Sequence, residues 1–440
     1  MRAKILDLAI QGKLTDQREE DGNARDLLKE IQAEKEKLIK EQQIKKEKPL
    51  PEIEADEIPF EIPKNWMWAR WGTLSISIKY GYNTSAQKDG KIKMVRISDI
   101  QNNQVNWDSV PFCNIPKEEI TQYLLRKNDI LFARTGGTVG KSYLVSEVPE
   151  NVVYAGYLIR TRYSEKLSPQ YLKYFMESDL YWSQLKKGTT TTAQPNCNAK
   201  TLGKMVLPLP PLAEQKRIAD KVATLFAQLD AIDKAYEEYR ELQQTMKAKL
   251  LDLAVQGKLT DQRAEDGNAR DLLKEIQAEK EKLIKEKKIK KEKPLPEITE
   301  AEKPFEIPDS WKWGRLGDIV SKAIKRGKSP KYSITGDVLV FAQKCNTKPG
   351  RINLELAKKL DLSTLKKYPE EEFMLSGDIV INSTGNGTMG RVGFFRDKDN
   401  PYNLKIVPDS HVTTIRVLHD LIDSQYIFYF LAMSQQTVDK

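Results

Sequence analysis

MKAKLLDLAVQGKLTDQRAEDGNARDLLKEIQ, residues 246–277, repeats the start of the chain, MRAKILDLAIQGKLTDQREEDGNARDLLKEIQ, residues 1–32. The likeness covers residues 1–53 and 246–298, which differ at positions 2, 5, 10, 19, 42 and 43 of the first copy, leaving 47 identities. A looser match continues through Trp66-x-Trp68 and Trp311-x-Trp313, after which the copies diverge. A period of 245 residues indicates a duplicated domain pair rather than a solenoid of short repeats.

Each copy of the repeat predicts two helices joined by a turn. Gly257 stands where a C-terminal helix cap belongs, and Gly12 holds the same place in the first copy. Asn268 then offers an N-cap for a second helix, which we expect to run from about residue 269 to residue 290. A Lys-rich stretch and a Pro-x-Pro run at 294–296 follow as a linker.

A long helix is predicted before the second copy. From Leu212 to Val255, apolar residues recur at alternating steps of three and four, with Gln243 as the polar interruption. The seam consists of Ile218, Val222, Leu225, Leu229, Ile232, Tyr236, Tyr239, Met246, Leu250 and Leu253. We expect a coiled-coil-like helix of 44 residues, about 66 Å long at 1.5 Å per residue.

The first copy lacks the heptad stretch that precedes Met246, because the chain begins at Met1. A counterpart of that stretch would lie beyond Lys440. We therefore expect the natural arrangement to close in a circle, with a second long helix antiparallel to residues 212–255. On this interpretation the sequence is a C-terminally truncated form.

The divergent parts predict compact modules of mixed α/β structure, so the expected fold class is α+β with a pseudo-two-fold internal repeat. Strands are predicted at 92–97, 129–133, 378–382 and 413–417, and helices at 169–186 and 424–434. Asp129-Ile130-Leu131 corresponds to Asp378-Ile379-Val380, and a Gly-rich turn follows each. The predicted domains are a partial helical region (1–50), a first module (51–211), a helical spacer (212–295) and a second module (296–440).

The net charge of +9 favours an acidic partner, with nucleic acid first among the candidates. The excess is concentrated in the modules: residues 60–211 hold 20 Lys and Arg against 12 Asp and Glu, and residues 305–440 hold 20 against 16. The three cysteines show no CxxC spacing, which argues against a disulfide framework or a zinc site. No apolar run reaches membrane-spanning length, so we expect a cytoplasmic protein without a membrane partner.

Surfaces that bind nucleic acid need cations for phosphates, and arginine or amide groups for base edges. Both modules offer such residues in corresponding places, although any one of them taken alone is more often an ordinary exposed side chain. In the first module the candidates are Lys79, Tyr82, Asn83, Arg96, Arg134, Lys141, Lys187, Thr190 and Gln194. In the second they are Lys325, Arg326, Lys328, Lys344, Arg351, Asn382 and Arg391.

Catalytic motifs are missing from the sequence. The turn at 136–142 approaches a phosphate-binding loop but is one residue short of it, and Arg391 replaces its lysine in the second copy. The two histidines, His411 and His419, have no counterparts in the first module, and no metal-ligand spacing or nucleophile elbow is present. We therefore expect a non-catalytic chain. The paired tryptophans are expected to pack the linker onto its module rather than stack on bases.

Several stretches resemble a known family. The run PLPPLAEQKRI at 208–218 resembles the module-to-helix junction of type I restriction-modification specificity subunits. The stretches QGKLT at 256–260, LLKEI at 272–276 and PFEIP at 304–308, followed by Trp311, resemble the repeated regions of that family. The resemblance covers essentially the whole chain and identifies the modules as target recognition domains.

The resemblance implies a reader of double-stranded DNA. Each module would read one half of a bipartite, non-palindromic site in the major groove, and the helical spacers would fix the unread gap. It implies docking to DNA adenine methyltransferase subunits, which use S-adenosylmethionine, and to restriction and translocase subunits, which use ATP and Mg²⁺. No cofactor is expected in this chain itself. Two alternatives remain open: a coiled-coil adaptor that does not bind DNA, and an ATP-hydrolysing enzyme.

Overall fold

The computed structural model describes residues 1–188, 196–347 and 350–438. They form two compact units, Met1–Ala235 and Tyr236–Lys440, so the boundary falls inside the long helix. Within the described residues, no helix combines the length and the apolar character that a membrane crossing requires.

The first unit combines a helical scaffold with an α/β module. Its helices are α1 (Arg2–Ile10), α2 (Ala24–Lys40), α3 (Trp71–Leu74), α4 (Lys117–Tyr123), α5 (Pro169–Phe175), α6 (Asp179–Gly188), α7 (Ala199–Lys204) and the start of α8 (Leu212–Val255). Its strands are β1 (Met67–Arg70), β2 (Ser75–Tyr80), β3 (Ile92–Val95), β4 (Ile100–Gln101), β5 (Gln104–Val105), β6 (Phe112–Cys113), β7 (Ile130–Ala133), β8 (Ser142–Leu144), β9 (Val152–Tyr154), β10 (Leu158–Tyr163) and β11 (Val206–Leu209).

Two sheets build the first module. β2, β10, β7 and β8 form an antiparallel sheet in that order, and β6, β3 and β9 form a smaller sheet in which β3 and β9 run parallel. β1 pairs with β11, which joins the strand after the linker to the strand that leads into α8. Ile130 and Phe132 of the main sheet share one apolar core with Leu6 of α1 and Ile218 of α8.

The second unit contains the rest of α8 together with α9 (Ala269–Lys285) and α10 (Ser424–Val438). Its strands are β12 (Lys325–Arg326), β13 (Tyr332–Ser333), β14 (Val338–Phe341), β15 (Asn346–Thr347), β16 (Arg351–Ile352), β17 (Lys358–Leu360), β18 (Ile379–Asn382), β19 (Val392–Phe394), β20 (Lys405–Pro408) and β21 (Val412–Ile415). The order β12, β21, β18, β19 matches β2, β10, β7, β8 of the first module. β14 and β20 run parallel, as β3 and β9 do. The two modules therefore share the main-sheet order and this parallel pair although their sequences diverge, and β13 adds a fourth strand to the second sheet of the second module.

A buried aspartate pairs with an arginine in the main sheet of each module. Arg162 donates from Nε to Asp129 at 2.8 Å, and Arg416 donates from Nε to Asp378 at 2.7 Å. Each guanidinium makes a second bond to the same carboxylate and one to a main-chain carbonyl. This pairing gives a structural reason for the aspartate that both modules keep before the strand.

The linkers dock through repeated contacts. Arg70 donates to the carbonyl of Pro51 and to both carboxylate oxygens of Glu57, and Arg315 makes the same bonds to Pro296 and Glu302. In each copy a tryptophan packs on a linker phenylalanine, with ring centroids 5.2 Å apart in the first copy and 5.1 Å in the second. The expected packing role of the tryptophans is confirmed.

The helix α8 spans Leu212–Val255 without a break, as predicted. Ile218 and Val222 are buried, whereas Ile232, Tyr236 and Tyr239 further along the apolar seam are each about 60% exposed. Two other helix predictions are corrected. α9 ends at Lys285, five residues early, and Lys287 just after it has a φ of +59°. Residues 169–186 lie in two helices because the Ser178 hydroxyl accepts a bond from Tyr181 N and begins a new helix.

Candidate nucleic-acid interface

Three loops meet at one end of the main sheet in each module. In the first module they follow β2, follow β7 and precede β10. Gly81 lets two of them touch, because a Cβ there would lie 2.2 Å from the Ala155 carbonyl oxygen. Gly327 holds the equivalent place in the second module, where a Cβ would lie 2.1 Å from the Pro408 carbonyl oxygen. We call these two loop clusters the first and second loop faces.

An arginine and aromatic rings form the first loop face. The Arg134 guanidinium lies 4.7 Å from the Tyr80 ring centroid and donates to the Gly156 carbonyl at 3.4 Å. Tyr157 beside it is 63% exposed, so a flat polar ring is available to a ligand. Tyr82 packs edge-on against Tyr123 at 5.2 Å, which holds the loop after β2 in place.

Two predicted residues flank this face. Lys79, the next-to-last residue of β2, is exposed. Partial burial of its ammonium, followed by the charges of Arg160 and Arg162, lowers its pKa. Asn83 is exposed on the loop after β2. The structure thus places Lys79, Asn83, Tyr82 and Arg134 at this end of the sheet, and their role in binding DNA stays a prediction.

The second loop face has the same backbone plan with different chemistry. The register of β12 against β21 matches that of β2 against β10, which places Arg326 at the position of Tyr80. Arg326 donates a hydrogen bond to the Ser383 carbonyl at 3.4 Å. The Thr384 hydroxyl lies 2.6 Å from Nδ1 of His411. The two faces therefore each carry an arginine, but Arg134 follows β7 in the first module, whereas Arg326 ends β12, the counterpart of β2, in the second.

Three lysines of the second module converge on one carboxylate. Glu372 lies 2.7 Å from Lys325, 3.7 Å from Lys322 and 3.9 Å from Lys328. Burial opposes its ionisation, but the hydrogen bond from Lys325 and the three lysine charges outweigh burial and lower the pKa of Glu372. One carboxylate thus gathers three cations beside the second loop face.

Three other candidates of the first module lie elsewhere. Arg96 is bound by its own turn, donating from Nε and Nη2 to Asp99 at 3.1 and 2.8 Å. Lys141 lines a cavity of about 520 Å³ that Lys173 and Trp182 also line. Lys187 is exposed near the end of α6. Thr190 and Gln194 fall outside the described residues.

The remaining candidates of the second module divide into exposed and buried groups. Lys344 and Arg351 are exposed. Arg391 donates to the Asn346 carbonyl at 3.0 Å and so braces the Gly-rich turn. Asn382 corrects the expectation of a base contact, because its side chain is fully buried, donates to the Gln343 carbonyl and accepts from Asn346.

Sequence reasoning missed four residues of the two faces: Tyr157, Ser383, Thr384 and His411. His411 was discounted because the first module has no histidine, yet strand register puts Tyr157 at the matching position. For the second face the available signal was position, since Ser383, Thr384 and His411 lie next to the predicted strands 378–382 and 413–417. Within the described residues, no group of three or more His, Cys, Asp or Glu side chains is placed to hold a metal ion.

The sequence of this chain is similar to those of known proteins. The model of the type I restriction modification DNA specificity domain matches residues 78–239. The specificity subunit of the type I restriction enzyme EcoAI from Escherichia coli is 30% identical over 72% of this chain, and the chain spans only 62% of that relative's length. The EcoEI specificity subunit from Escherichia coli is 27% identical over 97% of this chain and 79% of its own length. The chain is similar over most of its length to type I restriction-modification specificity subunits.

The fold agrees with that family. The crystal structure of the HsdS subunit from Thermoanaerobacter tengcongensis matches with a TM-score of 0.51 at 18% identity, covering 87% of this chain and 82% of that chain. The α+β arrangement with a long helix is therefore the fold of a type I specificity subunit.

Proposed function

We propose that this chain is the DNA-reading subunit of a type I restriction-modification complex in the cytoplasm. The observation that supports the proposal most is the pair of loop faces. The two faces have the same backbone arrangement but carry different side chains at matching positions. A duplicated reader that recognises two different sequences requires this combination. Arginine, amide and hydroxyl groups are the side chains that read base edges, and nearby lysines bind phosphates.

Each loop face would read one half of an interrupted DNA site. Arg134 with Tyr80 and Tyr157 would contact one half-site, and Arg326 with Thr384 and His411 would contact the other. Because the faces differ, the half-sites differ and the site is not palindromic. The helical spacer, including α8, would set the unread gap.

The chain would act as a reader for catalytic partners. Adenine methyltransferase subunits would supply S-adenosylmethionine chemistry, and restriction and translocase subunits would supply ATP- and Mg²⁺-dependent cleavage. The exposed apolar seam of α8 at Ile232, Tyr236 and Tyr239 supports docking of a helical partner. No cofactor is assigned to this chain.

A binding experiment with single substitutions tests the proposal. DNA fragments selected by the intact chain from random duplexes are titrated against the wild type, Arg134→Ala, Arg326→Ala and the control Lys274→Ala on the exposed surface of α9. We expect each arginine variant to lose about 1 to 3 kcal/mol of discrimination at one half-site only, with the control unchanged. Absence of DNA binding by the wild type would favour the adaptor alternative, and equal discrimination by all four proteins would contradict the reading roles of Arg134 and Arg326.

A further inference from the structure

An aromatic ring fixes the side chain of Arg134 on the first loop face. The Arg134 guanidinium lies 4.7 Å from the centroid of the Tyr80 ring. The Tyr80 hydroxyl accepts a hydrogen bond from the main-chain nitrogen of Ala199 at 3.0 Å, so the ring is itself anchored. A planar guanidinium stacked on an anchored ring keeps the orientation of its plane.

The main chain of Arg134 is held from both sides. Its nitrogen donates to the Tyr157 carbonyl at 3.1 Å, and its carbonyl accepts from the Cys197 nitrogen at 2.9 Å. Arg134 directly follows β7, a central strand of the main sheet. Because the backbone and the guanidinium plane are both fixed, little conformational freedom is lost when this arginine binds a ligand.

The donors that Arg134 offers to a ligand lie on the outer edge of its guanidinium. Nε is buried and, among the described residues, has no hydrogen-bond partner. Nη1 donates to the Gly156 carbonyl at 3.4 Å. Each of Nη1 and Nη2 carries two hydrogens, so this bond leaves both nitrogens able to donate. The outer edge therefore presents two neighbouring donors and no acceptor.

Two neighbouring donors select one base in the major groove. Guanine presents two acceptors there, O6 and N7, whereas adenine and cytosine each present a donor and thymine presents one acceptor beside a methyl group. A guanidinium has no acceptor and stays protonated in proteins, so it cannot pair with the amino group of adenine or cytosine. The edge of Arg134 thus matches guanine.

The second module places its arginine at the other of the two positions. Ser383 follows β18 as Arg134 follows β7, and Arg326 holds the position of Tyr80. Arg326 is exposed. The same two positions therefore carry a tyrosine and an arginine in one module, and an arginine and a serine in the other. This difference distinguishes the two loop faces at matching places.

We propose that Arg134 binds a guanine of the first half-site through O6 and N7, and that Tyr80 is the positioning residue that sets the plane of the guanidinium. This inference rests on the proposed function and adds the identity of one base. A phosphate contact, the other use of an arginine on DNA, would give no preference among bases. The stacking favours the base contact, since an edge in a set orientation can meet two acceptors at once.

A guanine analogue in the DNA tests the contact. The intact chain selects a duplex from random sequences, and 7-deazaguanine, which keeps base pairing but lacks the N7 acceptor, then replaces each guanine of the selected site in turn. We expect one position at which the replacement weakens wild-type binding about fivefold or more, because one of two hydrogen bonds to the base is lost. Arg134→Ala is expected to bind the duplexes with guanine and 7-deazaguanine at that position equally. Fluorescence anisotropy measures the affinities.

Variants of Tyr80 test the positioning role. Tyr80→Phe keeps the ring and is expected to retain most of the preference for guanine over 7-deazaguanine, whereas Tyr80→Leu removes the ring and is expected to lose most of it. Arg126→Ala removes an exposed arginine that precedes β7 and is the matched control, expected to behave as the wild type. Equal preferences in Tyr80→Leu and the wild type would overturn the role of Tyr80.

The possible results separate the guanine contact from the proposed function. Wild-type binding that tolerates 7-deazaguanine at every position, or the same loss in Arg134→Ala as in the wild type, would overturn the guanine contact and leave DNA reading in place. Binding by Arg134→Ala that is weaker by one factor on every duplex would overturn it in favour of a phosphate contact. If the wild type selects no duplex, the proposed function fails and the guanine contact fails with it.

Discussion

At the scale of single residues, each module contains a buried carboxylate that is bound by an arginine. Asp378 is fully buried, and Arg416 engages both of its carboxylate oxygens. Removing one partner leaves an uncompensated charge inside the sheet, which costs far more than the pair itself contributes.

Asp378→Asn is therefore expected to lower the free energy of unfolding of the second unit by about 3 to 5 kcal/mol. Denaturant unfolding measures this loss of unfolding free energy, and Asp397→Asn at an exposed position is the control. A loss no larger than that of the control would contradict the assigned role of the ion pair.

Exposed lysines beside the loop faces contribute differently. Lys344 lies on the turn after β14, next to Gln343, whose side chain accepts from Thr384 at 3.4 Å. Lys344→Ala is expected to weaken binding to all duplexes alike and to reduce the slope of log affinity against log salt by about 1. Anisotropy titrations over a salt series measure the slope; a change confined to one sequence would assign Lys344 to base reading instead.

At the scale of elements, close backbone approach shapes the loop faces. Gly81 leaves no room for a Cβ beside the Ala155 carbonyl, whereas Gly137 on the neighbouring turn has open space around it. Gly81→Ala is expected to displace the loop and reduce DNA affinity at one half-site, and Gly137→Ala is not. Paired binding titrations compare them, and equal affinities would show that the close approach is dispensable.

Glu302 accepts hydrogen bonds from Arg315 and from the Thr299 backbone, and we call this contact the linker clamp. The clamp makes the stability of the second unit depend on pH. The Arg315 hydrogen bonds, with those of Thr299, lower the pKa of Glu302 to about 2 from its ordinary 4.5. The clamp therefore adds stability above pH 4.5, and that stability is lost as pH falls from 4.5 towards 2.

Glu302→Gln is expected to lower the thermal midpoint above pH 4.5 and to show a smaller further drop between pH 4.5 and 2 than the wild type. Thermal unfolding across this range checks it, with Glu306→Gln as an exposed control. Parallel curves for wild type and Glu302→Gln would refute the clamp.

The helices and strands could be predicted from the sequence more completely than the residues of the loop faces. The heptad seam predicted α8 to the residue, because its period is long and regular. The break at Ser178 was missed because its local capping interrupts an otherwise helical pattern. The loop faces could be placed only in part, since pairing Tyr80 with Arg134, or Thr384 with His411, depends on strand register rather than on sequence spacing.

At the scale of the whole molecule, the duplication separates a repeated scaffold from loop faces that differ. The repeated helices and linkers stay nearly identical, with 47 of 53 residues shared, while the loop faces diverge. Under the proposed function, a change in one module would change one recognised sequence without altering the scaffold.

The spacer has its own expected effect. A four-residue insertion into α8, adding about 6 Å of helix, is expected to change the unread gap and leave both half-sites intact. Mapping of methylated adenines, with the chain assembled on its methyltransferase partners, reports both features. Altered half-site sequences would contradict the spacer role.

Selection of binding sites from random duplexes by the intact chain tests the two-face account most directly. The account predicts a motif of two unlike parts separated by a fixed gap, with Arg326→Ala relaxing one part and Arg134→Ala relaxing the other. A single continuous motif, or variants that both alter the same part, would contradict it.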